Sequence, residues 1–178
     1  MLMSKQVQIV IDANVIIHFI KGKALDSLHK IFPQYKFVII DELLNKELRN
    51  LNSTRVYLDN FLHYFPQSIT VIKWSPNYEM IKELGILTNK YGYGESLCMV
   101  YCKYNNDVVA SSDVKDITDY CDRNGIQYIT TLDFLWQAYS TKIMTEKQCN
   151  DFINEVNKGI KSLNVSKITE YTPRQLFL

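Results

Sequence analysis

Three β-branched residues in a row, Ile9, Val10 and Ile11, run straight into Asp12 and set the first limit on the fold. A continuous apolar run leaves no polar face for water, so the strand must be covered on both sides, as in a parallel sheet. Asn14–Ile20 then reads as a short helix closed by Gly22. Asp12 therefore falls where a buried strand passes into a helix, at the carboxyl edge of a sheet, where open α/β folds place their ligands. A buried strand end is an unfavourable place for an unpaired charge, so the acid demands an explanation.

The same unit recurs along the chain. Ala24–Phe32 reads as a short amphipathic helix ended by Pro33, and Lys36–Ile40 (KFVII) as a second buried strand. Asp41 reads as the cap of a helix running to about Asn50. Another helix starts at Asn52 with Val56, Leu58, Phe61, Leu62 and Phe65 as its apolar positions, and Pro66 stops it. Ile69–Trp74 is a third strand, suited to an edge. Helix Asn77–Leu87 follows; Gly92-Tyr93-Gly94 then breaks the chain before helix Glu95–Tyr104 and strand Val108–Ser111. Helix Val114–Arg123, strand Ile126–Thr131 and two long amphipathic helices, Leu132–Ile143 and Glu146–Ile160, precede an irregular tail, YTPRQLFL. Strands alternating with helices define a three-layer α/β fold with a mostly parallel sheet. The two closing helices are expected to pack as a hairpin against the sheet or to project as an arm. We expect one domain over residues 1–178, with roughly 144–178 packed on it as a C-terminal helix and tail.

Composition fits this reading. A 47% hydrophobic, 22% charged chain of 178 residues is ordinary for a globular protein and long enough to bury a substantial core. No apolar stretch approaches membrane-span length, and Lys5 stands where a signal peptide needs its apolar region, so a cytoplasmic protein without a membrane partner is expected. A net charge of +1 lacks the basic excess of many nucleic-acid binders. Lys158, Lys161, Lys167 and Arg174 gather near the end and read as a solvated face and tail. Cys98, Cys102, Cys121 and Cys149 lack C-x-x-C spacing and nearby histidines, so they read as reduced core thiols. His18, His29 and His63 are scattered on helices and read as packing or surface residues.

Three more carboxylates behave unlike solvated charges. Glu47 follows the second strand with Leu43, Leu44 and Leu48 around it at helical spacing. Glu95 opens its helix with Cys98, Met99 and Cys102 on its own face. Asp113 follows the strand VVASS and shares a face with Ile117 and Tyr120, and Asp116 stands one turn on. Each has a plain alternative: a helix cap for Asp113, a first-turn dipole partner for Glu95, a pair with Lys46 or Arg49 for Glu47. Jointly they say more, because Asp12 and Asp113 both end apolar strands and both glutamates start from helices on that edge. Carboxylates brought within ~4 Å repel by on the order of 4 kcal/mol per pair at an effective dielectric near 20. Such a cluster needs protons or a cation, and oxygen-only ligands favour Mg²⁺ or Mn²⁺ over zinc. A hard cation held by carboxylates in a crevice serves mainly chemistry at phosphate esters. No Walker loop, G-x-G-x-x-G or Ser/Cys/His nucleophile arrangement competes.

IVIDANVII, Glu47 in IIDELLNKELRN, GYGESLCMVYC and VVASSDVKDI together resemble the four acidic motifs of the PIN-domain ribonucleases, with VapC-type toxin-like PIN proteins the nearest in pattern. The likeness extends through YITTLDFLWQAYSTKIMT and the tail. It implies a five-stranded sheet of order 3-2-1-4-5 and metal-dependent endonucleolytic cleavage of single-stranded RNA. Asp12, Glu47, Glu95 and Asp113 would be the catalytic and metal-binding quartet. Asn14 would orient Asp12, Ser111 would be the hydroxyl before the last acid, and Asp116 an auxiliary. An antitoxin partner and a homodimer would also follow. Two positions depart from the pattern: Leu97 stands where close relatives carry a second acid two residues after the glutamate, and Ser112 replaces one of a frequent acidic pair. A catalytically degenerate PIN-fold interaction protein is therefore the competing reading. An aspartyl-nucleophile phosphatase fits less well, since Asn14 holds the place of its usual second acid.

Overall fold

The computed structural model describes residues 6–159 and 162–175. Five strands, β1 (Gln8–Ile11), β2 (Lys36–Ile40), β3 (Thr70–Ile72), β4 (Val108–Ala110) and β5 (Tyr128–Ile129), form one sheet of order β3-β2-β1-β4-β5. Every neighbouring pair is parallel, with Val10 opposite Val38 on one side and Val109 on the other. The β-branched run thus sits in the centre, and Ile9, Val10 and Ile11 are fully buried. The chain turns outward in both directions from β1, so the carboxyl ends of β1 and β4 meet at the switch point of the sheet.

Helices cover both faces. They are α1 (Ala13–Lys21), α2 (Leu28–Ile31), α3 (Asp41–Lys46), α4 (Asn52–Tyr64), α5 (Tyr78–Leu87), α6 (Tyr93–Asn105), α7 (Val114–Asn124), α8 (Thr131–Ser140) and α9 (Glu146–Asn157). Capping chemistry fixes several ends. The Asn77 side chain accepts from Met80 N, and Thr130 and Thr145 form capping boxes with Asp133 and Gln148. Gly125, at φ +64°, closes α7 in the left-handed conformation. Helices α8 and α9 form the C-terminal hairpin, and α9 docks through Phe152, whose ring lies 5.1 Å from that of Phe19 in α1.

Several local expectations need correction. Ala24–Phe32 is not one helix but a 3-10 turn, Leu25–Ser27, joined to the single turn α2. Asp41 does not cap α3: it is the first helical residue, and its carboxylate accepts from Trp74 N at 2.8 Å, tying α3 to the chain beyond β3. Helix α3 stops at Lys46 rather than near Asn50. The Arg55 guanidinium donates to the Leu44 carbonyl there, a long-range partner for a helix-end oxygen. In α4, Leu58 and Phe61 are buried but Val56 and Phe65 are exposed. Strand β5 is shorter than the apolar run implied, because Ile126 N bonds back to Cys121 O at the end of α7 and Thr130 already caps α8. Lys161 and residues 176–178 lie outside the described residues. Arg174 is not a solvated tail charge: it is half-buried on Asp133. All four cysteines are free and buried. No helix among the described residues is long and apolar enough to cross a membrane.

Candidate functional site

Asp12 leaves β1 where its own amide donates to Ala110 O of β4 at 2.9 Å, so the sheet itself fixes the position of the acid. The side chain is fully buried. Its Oδ1 accepts from Ala13 N at 2.8 Å, and its Oδ2 accepts from Ser111 Oγ at 3.2 Å and from Asn14 Nδ2 at 3.3 Å. The same Asn14 amide donates to Glu95 Oε1 at 3.2 Å. One neutral side chain therefore sits between two carboxylates and donates to both, which lowers their mutual repulsion without adding charge.

Glu95 belongs to the first turn of α6 and is buried. Glu47 caps the end of α3 half-buried, and its Oε1 accepts from Gly94 N at 2.6 Å. The two glycines around Tyr93 do not break the chain: Gly92 caps α6 and Gly94 lies inside its first turn. Their role is room. A Cβ on Gly94 would stand 2.4 Å from the Glu47 carboxylate, and one on Gly92 would stand 2.2 Å from Glu95 Oε2. G-Y-G-E is thus a single device that brings one helix start up to two acids.

The shared placement of these acids has an electrostatic consequence. Burial first, then the charges of Glu95 and Glu47, push the Asp12 carboxyl up to about 8, against the pull of the Ala13 and Ser111 hydrogen bonds. Cys98 lies beneath them, and burial together with Asp12, Glu47 and Glu95 raises its thiol well above the usual range, so it stays neutral. Lys46, a candidate partner for Glu47, pairs instead with Glu42 at 3.1 Å and with the Tyr93 hydroxyl.

Asp113 is tied to Asp12 through Ser111. It is half-buried at the start of α7, and its amide donates to the same Ser111 Oγ at 3.3 Å. Ser111 thus relays between the ends of β1 and β4. Asp116 is half-buried one turn further, with its amide on Asp113 O at 3.1 Å. Hard oxygen donors are the right chemistry for Mg²⁺ or Mn²⁺. As placed, though, Glu47 is committed to an amide and Asn14 stands between Asp12 and Glu95. Among the described residues no group of three or more His, Cys, Asp or Glu is set to hold a metal ion.

Two residues acquire a place that their spacing did not suggest. His18 is buried, with Nδ1 3.0 Å from Thr131 Oγ1 and 3.4 Å from Ser112 Oγ. Ser112, conspicuous as a lost acid, joins α1, the β4–α7 connection and α8 through hydroxyl contacts. The signal in the sequence is slight: His18 is the polar residue among the otherwise apolar buried positions of α1.

Neither family models nor curated proteins give a sequence match to this chain. The strand order and the helical layers define its class: a PIN-like, Rossmannoid α/β/α fold, an architecture compatible with phosphodiesterases in general. The particular activity is a matter for the acidic pocket.

Proposed function

We propose that the chain is a PIN-like module whose acidic pocket is held together by protons and amide donors, acting as a catalytically degenerate PIN-fold interaction protein. The observation that carries this reading is the commitment of Glu47 to Gly94 N at 2.6 Å while Asn14 spans Asp12 and Glu95. A pocket closed on itself in this way has its charges offset without a cation. Leu97, where a further acid would add ligand capacity, is fully buried in the core. Tyr57, Tyr64 and Phe65 on and just after α4 are exposed, and a protein partner would cover such side chains.

A second reading is favoured by the convergence of Glu95 and Glu47 on Asp12. In it the chain is a Mg²⁺- or Mn²⁺-dependent endoribonuclease of single-stranded RNA, the toxin of a toxin–antitoxin pair acting as a homodimer. Asp12, Glu47, Glu95 and Asp113 would be its ligands, Asn14 and Ser111 would orient Asp12, and Asp116 would assist. This requires Glu47 to leave the Gly94 amide.

Calorimetric titration of the purified chain with MnCl₂, beside an assay of RNA cleavage in Mg²⁺ and Mn²⁺, separates the two. The degenerate reading expects no binding heat at millimolar Mn²⁺ and no cleavage. Saturable binding with cleavage, both lost in Asp12→Asn, would overturn it in favour of the nuclease.

A further inference from the structure

Helix α5 turns Met80, Leu84 and Leu87 toward the body of the fold. Its other side is uncovered. Tyr78, Ile81 and Ile86 are 74%, 56% and 61% exposed, with Lys82 and Gly85 exposed between them. The spacing i, i+3, i+4, i+7, i+8 puts these five residues on one face of the helix. Exposed apolar side chains grouped in this way mark a contact surface.

Gly85 tells what kind of contact it is. Glycine is among the weakest helix formers, yet it stands inside α5 where the fold gives it no reason to be. Its φ is not positive, and a Cβ there would meet nothing within 4 Å, whereas one on Gly22, Gly92 or Gly94 would collide. What remains for such a glycine is to let another backbone come close. With apolar residues on either side, the shape suits a helix crossing α5 at Gly85.

Charge narrows the identity of that helix. Lys82 stands near the centre of the face, and among the described residues no carboxylate pairs with it. A groove of about 850 Å³ runs alongside, between α5, α6 and α7. There Lys103 is paired with Glu83 at 2.6 Å, while Lys90 and Arg123 share the single carboxylate of Asp119. With Glu79 at the margin of the face, four cations meet three carboxylates. In a two-fold pair the residues at the centre of a face meet their own copies, which would set Lys82 against Lys82 beside Gly85. A different partner can bring an acid to that place.

We propose that the outer face of α5 docks one amphipathic, acidic helix of a different protein. Its backbone seats against Gly85, its apolar side covers Tyr78, Ile81 and Ile86, and a carboxylate meets Lys82. None of these residues belongs to the acidic pocket or to the exposed aromatic side chains of α4. The inference deepens the interaction-protein reading and rests on it.

Binding is measured on the full chain with two synthetic helical peptides of about five turns that share a leucine face. One carries glutamates on its outer side and the other lysines. Saturable binding of the glutamate peptide is expected, at least about tenfold tighter than that of the lysine peptide, with Lys82→Glu reversing the order. Gly85→Gln should raise the melting temperature, since it replaces a poor helix former in open space, and still weaken the glutamate peptide about tenfold or more. A merely structural glycine would not give that opposition. No saturable binding of the glutamate peptide at millimolar concentration, or equal affinity in Gly85→Gln, overturns the proposal. So does a wild-type dimer in sedimentation that Gly85→Gln disperses, which would give the face to a second copy. Manganese binding with cleavage would sink the interaction-protein reading without altering the peptide result, and absent peptide binding would sink this inference without any cleavage, so the two failures are distinct.

Discussion

Asp12 concentrates the physical cost of the site in one side chain. An unfolded aspartate ionises near 3.8, whereas folded Asp12 keeps its proton up to about 8. Between these values the folded chain binds a proton that the unfolded chain has released. The contribution of Asp12 to stability is therefore full below the unfolded value and is lost as pH rises through the folded one. Asp12→Asn cannot ionise, so denaturant unfolding should show it more stable than wild type above pH 8, by on the order of 1–3 kcal/mol, with the difference shrinking toward pH 4. Parallel pH profiles would contradict this. That Asp12 is unusual was legible from its place after a triple β-branched run. The Asn14 bridge and the space left by Gly92 and Gly94 were not, because both depend on α6 meeting α3 and α1 across long stretches of chain.

Among the elements, α9 depends on one close approach. A Cβ on Gly22 would stand 1.9 Å from the Phe152 ring, which is 1% exposed and packed edge-on to Phe19. A buried ring has nowhere to swing, so Gly22→Ala should cost about 1–3 kcal/mol in thermal or denaturant unfolding. A neutral result would mean that α9 docks elsewhere. Gly22 reads in the sequence as a helix stop, and it is one, but its neighbour across the fold is what forbids a side chain. The strand order 3-2-1-4-5 followed from the resemblance of the acidic motifs, whereas the local pattern of KFVII, QIVI and VVA, apolar along most of each strand, showed only that these strands suit central positions. Helix ends were less legible, as the Arg55–Leu44 contact that accompanies the end of α3 shows.

At the scale of the molecule, the chain closes on itself through Asp133. This carboxylate accepts from Thr130 at the start of α8 and from Tyr171 and Arg174, so one buried charge joins the chain just after β5 to residues 171–174. Arg174→Ala leaves that charge without its cation; since the arginine is partly exposed, a loss of about 1–3 kcal/mol is expected by denaturant unfolding. No change would show that the segment adds nothing to the body of the fold. The same closure supplies one wall of a cleft that lies beside the β1–β4 edge. The whole account depends on Asp12, Glu95 and Glu47 lying together in one water-poor pocket on that edge. The most direct test is the titration of the Asp12 side-chain carboxyl by carbon-13 NMR in EDTA. A midpoint far above the ordinary carboxylate range, near the value of about 8 set by burial and the two glutamates, is expected. A midpoint near 4, the usual value for an aspartate in water, would mean that the three acids do not share a pocket.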